Sequence, residues 1–405
     1  MSFRSRRALR TAIVAKAVSF FGDQVAAVAL VLRLQSEGAG AGAVAALLMA
    51  DLVPIALLAG PAGRLADRYG SRPLLLVSGS AQAVVCGGLV LVSGTPATLA
   101  LVVVLGIGQS VNGATWSALL PSLVPAAELA RAMGRAQAAN TLGLIAAPAV
   151  AGLLTAAAGP RPAIALDALT FVAVSLAGWL LPNRRVAASS GPMTGGWRIV
   201  AREPVLRAAV LGLGALIVLA AMVNVVEVFL VRETLGAGPF WYGAAGAAYA
   251  AGVFVGALAG GRLAGDRALV RGLVASAAVL GAGLAGMGLS PSVVVLTAIS
   301  VGTGAANGVL NVCSSALIFG RALPSERGRV GGVVGGVASA AQLVAYTAGG
   351  AMSTALDPRT IFVLSGALAV LAALPLARTL PRAIARPRPA PVIAPAPAPA
   401  PAPVS

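Results

Sequence analysis

Histidine is absent from this 405-residue chain, cysteine occurs twice, and Lys16 is the only lysine. Without histidine the chain lacks the one side chain that titrates near neutrality unaided, and it lacks the commonest metal ligand, so a histidine-built metal centre or proton switch is excluded. Any proton relay must run through carboxylates and water. Cys86 and Cys313 both fall in the middle of apolar runs, where they act as small apolar residues, and neither a disulfide nor a metal site is expected. Lys16 does not follow the glycine-rich spacing of a phosphate-binding loop, so a nucleotide-driven pump is excluded. Nothing suggests catalysis or a cofactor. Charged residues make up 10% of the chain and aromatic residues 4%, too few to build a basic, aromatic-lined nucleic-acid face.

What is abundant is apolar: 58% of residues are hydrophobic, and 50 are glycine. About 20 residues of helix cross the ~30 Å hydrocarbon core of a bilayer, and runs of that length recur throughout. Cutting at charges and at Gly/Pro punctuation gives twelve spans: 11–33, 42–63, 73–93, 97–120, 134–157, 161–182, 206–231, 241–264, 269–289, 293–318, 329–353 and 359–379. The first carries Lys16 and Asp23 and is too long for the core of a cleaved signal peptide, so it is expected to stay in the membrane. The net charge of +17 follows topology. With both termini in the cytoplasm, 24 of 29 basic residues fall on the inner side, Lys16 lies within the first span, and only Arg33, Arg161, Arg232 and Arg359 fall outside.

The phrase GRLADR at 63–68 returns as GRLAGDR at 261–267. A shift of 198 residues aligns the two copies and also pairs Ser117 with Ser315, Glu128 with Glu326, Arg131 with Arg329 and Arg161 with Arg359. Two six-helix halves in parallel repeat are implied, residues 1–182 and 206–382, joined by a cytoplasmic linker at 183–205 and followed by a Pro/Ala tail at 383–405 that is expected to be disordered. Trp197, Ile199 and Val200 beside Arg198 and Arg202 predict a short interfacial helix in the linker.

In these features the chain resembles the major facilitator superfamily. The loop after the second span reads Gly63, Asp67, Arg68, Gly70, Arg72, similar to that superfamily's signature, and Asp266 with Arg267 form a degenerate copy displaced by the extra Gly265. The resemblance implies a conformational latch at these loops, with Asp67 at its centre. The fifth span carries Gly143, Pro148 and Gly152, similar to the antiporter-type motif with two of its glycines replaced by alanine. In the fourth span Gln109, Asn112 and Gly113 stand where many proton-coupled members place an arginine three residues before a polar residue and a glycine. The stretches ALLPSLVP, GPRPAIALDALTF and RGRVGGV look like the enterobactin-exporter and drug-exporter branch.

Charges at mid-membrane are costly, by about 2.5–3.5 kcal/mol each on insertion scales, so each requires a reason. Asp23 and Asp51 are expected near mid-depth and are the proton-coupling candidates. For Asp23 the alternative is a structural acid paired with Lys16, which lies on the same helical face. Asp167 reads as a structural contact to Arg161. Lys16, Gln24, Gln109, Asn112, Asn140, Asn224, Glu227, Tyr249, Asn307, Asn311, Gln342 and Tyr346 are the cavity candidates. Together these readings predict a monomeric, all-α protein of twelve spans in the cell membrane, both termini cytoplasmic, exporting a small amphipathic molecule by proton-coupled alternating access. A facilitator or importer, or a receptor or scaffold on the same fold, are the alternatives.

Overall fold

The computed structural model describes residues 3–183, 195–323 and 325–384. Among them every regular element is helical, and twelve helices are long and apolar enough to cross a membrane. The first half comprises α1 (Phe3–Ser36), α2 (Ala41–Arg68), α3 (Ser71–Leu91), α4 (Thr95–Ser122), α5 (Ala126–Ala158) and α6 (Arg161–Leu180). A short α7 (Gly196–Arg202) precedes α8 (Pro204–Phe229), α9 (Pro239–Gly260), α10 (Asp266–Gly288), α11 (Val293–Arg321), α12 (Arg327–Met352) and α13 (Pro358–Ile384). Several helices run well past the apolar cuts: α1 starts eight residues before the expected span and α5 starts eight before its own. Cutting at charges undercounts them, because a helix continues beyond the hydrocarbon where water solvates its side chains.

The repeat is visible in the packing. In the first half α1 packs on α5 and α6, α2 on α4, and α3 on α6; in the second half α8 packs on α12 and α13, α9 on α11, and α10 on α13. The same backbone contact recurs in both halves. A Cβ at Gly106 would lie 2.8 Å from the Asp51 carbonyl, and a Cβ at Gly304 would strike the carbonyl of Tyr249. Both pairs obey the 198-residue shift, and in both only glycine lets the helices approach so closely.

The two halves share a core at one end only. At the end away from the chain termini, Ala45 of α2 joins the apolar core of the second half, while Val228 and Phe229 of α8 join that of the first. At the terminus-bearing end the cores are separate. One gathers Leu9, Leu75, Trp116, Leu119 and Leu181, all of the first half. The other gathers Val200, Leu206, Ile318 and Val330, all from the linker helix and the second half. Burial therefore holds the halves together at the far end and leaves them apart at the near end.

The linker helix forms where it was expected. Gly196 lets α7 settle against the Arg329 carbonyl and Val333 of α12, and Trp197 is left exposed. Residues 184–194 of the linker and nearly all of the Pro/Ala tail, 385–405, lie outside the described residues.

Candidate functional site: two polar clusters facing each other across the halves

Asp23 lies about 24 Å along α1 from Arg7 and about 20 Å from Ser36, at 1.5 Å per residue, which sets it at mid-depth. Its carboxylate takes a hydrogen bond from the Gln109 side chain of α4 and has the charges of Asp167 and Asp51 as neighbours. Its Oδ1 is enclosed and finds no hydrogen-bond partner among the described residues. Lys16 is half-buried two turns away and makes no ion pair among the described residues, so the pairing with Asp23 is not formed.

Asp167 does not reach for Arg161. It is 1% exposed and faces inward from α6, accepting from Thr170 Oγ1 at 3.0 Å and from Cys86 Sγ of α3 at 3.4 Å. Its Oδ1 rests against the backbone of Gly22, beside Asp23. Arg161 opens α6 on an exposed turn, six residues and nearly two turns away, which leaves it in a different environment. The acid was legible in sequence, but its direction was set by tertiary packing.

Asn112, expected in the cavity, is 3% exposed and donates instead to Gln82 Oε1 of α3 at 3.0 Å, tying two helices of one half together. Gln82 was not singled out, although an amide in the middle of an apolar run carries the same signal as those that were. Asp51 and Asn224, by contrast, are exposed in the middle of long apolar helices, as is Asn311 on α11. Asp51, whose field reaches Tyr346 of the second half, borders the space between the halves.

The second-half wall is mostly amide and phenol, with one acid, Glu227 of α8. Asn307 donates to the Tyr249 hydroxyl, and Asn311 Nδ2 donates to Asn307 Oδ1 at 2.6 Å. Tyr346 of α12 is hydrogen-bonded to Asn224 and lies within the field of Asp51 across the gap. Glu227 is half-buried, with the phenols of Tyr242 and Tyr249 in its field. The repeat shift carries Asp51 onto Tyr249 and Gln109 onto Asn307, so equivalent sites of the two halves carry different chemistry. Gln24 is half-buried beside Asp23.

The far end is closed by direct contact. Gln35 of α1 takes a hydrogen bond from Arg232 Nε at 3.2 Å and gives one to Glu233 Oε1 at 3.1 Å, both in a single π-helical turn after α8 (Leu230–Thr234). Gly143 packs against Phe21 of α1, whereas Pro148 and Gly152 of the antiporter-type motif meet α9. A Cβ at Gly152 would lie 2.9 Å from the Pro239 carbonyl and 3.0 Å from the Gly243 Cα.

The two signature loops differ. Asp67 is half-buried in the last turn of α2, and the loop that follows docks on the end of α6. There Gly70 abuts the Asn183 side chain, the Arg72 amide donates to Asn183 Oδ1 at 3.3 Å, and the Arg72 guanidinium lies 5.1 Å over the Trp179 ring. Arg68 stacks on Tyr69, while Gly63 borders open space. Asp266 and Arg267 are not in a loop: the extra Gly265, at φ +81°, turns the chain so that they form the first turn of α10. Asp266 Oδ2 is 2.5 Å from Arg321 Nη2, and Glu203 Oε1 is 3.7 Å from Arg321 Nη1. Arg321 thus joins the starts of α8 and α10 to the end of α11, and Arg267 stays exposed.

Sequence comparison agrees with this architecture: the family model for the Major Facilitator Superfamily matches residues 12–273 and 222–404. The chain belongs to that superfamily. No curated protein matches it. Among solved structures of the fold, the nucleoside transporter NupG superposes with a TM-score of 0.73 at 12% identity, covering 92% of this chain and 98% of its own. A bacterial homologue of the iron transporter ferroportin in an inward-facing state gives 0.73 at 16%, covering 95% and 100%. A bacterial homolog of the human lysosomal transporter Spinster, inward-facing and unoccupied, gives 0.70 at 14%, covering 95% and 99%. At these identities the likeness is one of fold. The Major Facilitator chain is a multi-pass membrane protein of transporter type rather than an enzyme.

Proposed function

We propose that this Major Facilitator chain is a proton-coupled exporter of a small amphipathic molecule, a drug-like compound or a siderophore, working by alternating access in the cell membrane. The observation that carries the reading is a polar gap at mid-depth, with Asp51 on the first-half side and Asn224, Asn311 and Tyr346 on the second-half side, between halves whose apolar cores join at one end and part at the other. Such a gap admits cargo from one side, and rocking of the halves about it exposes the cargo to the other. With the termini cytoplasmic, this state is inward-facing. Acids in both halves, Asp51 and Glu227 among them, and few bases favour cationic or neutral amphipathic cargo, which Tyr249, Tyr346, Asn224 and Asn307 would hold by hydrogen bonds and ring contact.

Asp23 is the proton-carrying group in this reading. A carboxylate enclosed at mid-depth exchanges charge for a proton as its surroundings change, and Asp23 sits where α1, α4 and α6 meet. Gln109 supplies a hydrogen bond but no charge, so coupling here does not depend on a fourth-span arginine. Asp167 positions Asp23 from α6, and Asp51 links the acid cluster to the second half.

Reconstituted vesicles with an imposed pH gradient test this. Asp23→Asn keeps size and hydrogen bonding but cannot release a proton. It should abolish uphill efflux and leave exchange of cargo down its own gradient intact. Uphill pumping by Asp23→Asn would remove Asp23 as the carrier, and equal loss of both modes would mark it as structural.

A further inference from the structure

We propose that the groove between the terminus-bearing parts of α1 and α6 is a binding site for one anionic glycerophospholipid of the surrounding leaflet. The groove is large, about 1230 Å³. Val14 and Val18 of α1 form one wall and Leu176 and Leu180 of α6 the other. Val14 is 54% exposed and Leu180 76%, so the walls offer apolar surface that no part of the described chain covers. At 1.5 Å per residue, the stretch from Arg10 to Val18 spans about 12 Å, enough for the upper part of an acyl chain.

The rim determines which lipid. Arg7, Arg10 and Arg72 all line the groove, and no acidic residue does. Arginines gathered at one opening make it attractive to an anion, and a phosphodiester matches the fork geometry of the Arg10 and Arg72 guanidinium groups. Arg72 is held over the ring of Trp179, itself 63% exposed at the rim, an aromatic placed where headgroups meet acyl chains. Charge and shape therefore coincide: cations at the mouth, apolar walls below, and an amphipathic ring between. A neighbouring groove shares Arg10 and Val14 and adds Arg131 and Arg135, but Glu128 also lines it, so the first groove is the more purely cationic.

Trp179 also supplies the probe. The protein is placed in phosphatidylcholine nanodiscs containing a small fraction of brominated phosphatidylglycerol or, in parallel, brominated phosphatidylcholine. The quenching removed by Trp179→Phe is taken as the signal from this site. Each arginine near an anionic headgroup favours it by about five-fold. The brominated phosphatidylglycerol should therefore quench Trp179 well beyond its share of the bilayer. Arg10→Gln, which leaves the Arg72–Trp179 pair in place, should cut the preference about five-fold, whereas Arg378→Gln on the other half should not. Raising salt from 0.1 to 0.5 M in the wild type should weaken the preference without any substitution. Equal quenching by the two lipids, or a preference untouched by both Arg10→Gln and salt, would overturn the proposal and leave ordinary boundary lipid in its place.

Discussion

The closed end of the molecule can be wedged open with a single methyl group. At Gly152 a Cβ would sit 2.9 Å from the Pro239 carbonyl and 3.0 Å from the Gly243 Cα, and both obstacles are backbone of α9. No rotamer change relieves such a contact, so Gly152→Ala requires the halves to separate by a few tenths of an ångström at their seal. Overpacking of this kind costs about 1–3 kcal/mol. Because the contact exists only while the far end is closed, the whole cost falls on that state and moves the equilibrium toward opening by roughly 5- to 150-fold. Spin labels at Ser36→Cys and Thr234→Cys, both exposed and flanking the Gln35–Glu233 contact, read the separation directly. Cys86 and Cys313 are fully enclosed and can stay. The short distance should give way to a longer population in Gly152→Ala. A distance distribution identical to that of the parent would show that α5 and α9 do not form the seal.

Asp67→Asn should leave the protein abundant in the membrane and cripple transport, because every span is intact while the latch charge is gone; normal transport rates at normal abundance would refute the latch. Arg321 is 5% exposed on its side chain between two carboxylates, so Arg321→Gln should destabilise the purified protein by about 3 kcal/mol. Asp266→Asn should cost less, since Asp266 is one-third exposed and Glu203 remains, and thermal unfolding in detergent would show the order. Tags at both termini and in the 184–194 linker should all label from the cytoplasmic side, and extracellular labelling of any of them would break the twelve-span assignment.

Much of this was written in the sequence because hydrocarbon enforces it. Span number follows from run length, and the two-half plan follows from charged residues recurring at one offset, which apolar drift does not erase. The site was less legible. Asp23 and Asp51 announced themselves as charges in the wrong solvent, but depth along a helix says nothing of azimuth. Asn112 and Asp167 show the consequence: one turned into its own half to meet Gln82, and the other turned inward to Cys86, Thr170 and the Gly22 backbone. Helices that are apolar on all faces carry no amphipathic stripe to fix their rotation. The single residue Gly265 likewise converted an expected loop copy into the first turn of a helix.

The two halves kept one backbone and divided its chemistry. Asp51 and Tyr249 hold the same place on equivalent helices, each with its carbonyl against a glycine of the partner helix, and Gln109 and Asn307 answer to each other in the same way. Tyr249 lies within the field of Glu227, so an acid at that position would set two carboxylates near each other in the second half. A phenol there avoids that repulsion and still offers a hydrogen-bonding surface to cargo. It also yields a sharp expectation: Tyr249→Asp restores the acid that the equivalent position carries in the first half, so it should destabilise the purified protein at high pH, where both carboxylates are charged, and spare it at low pH, where they are neutral. Thermal unfolding in detergent across a pH series would show the loss relative to the parent growing with pH. If the difference between variant and parent does not move with pH, repulsion between neighbouring carboxylates is not what the phenol avoids.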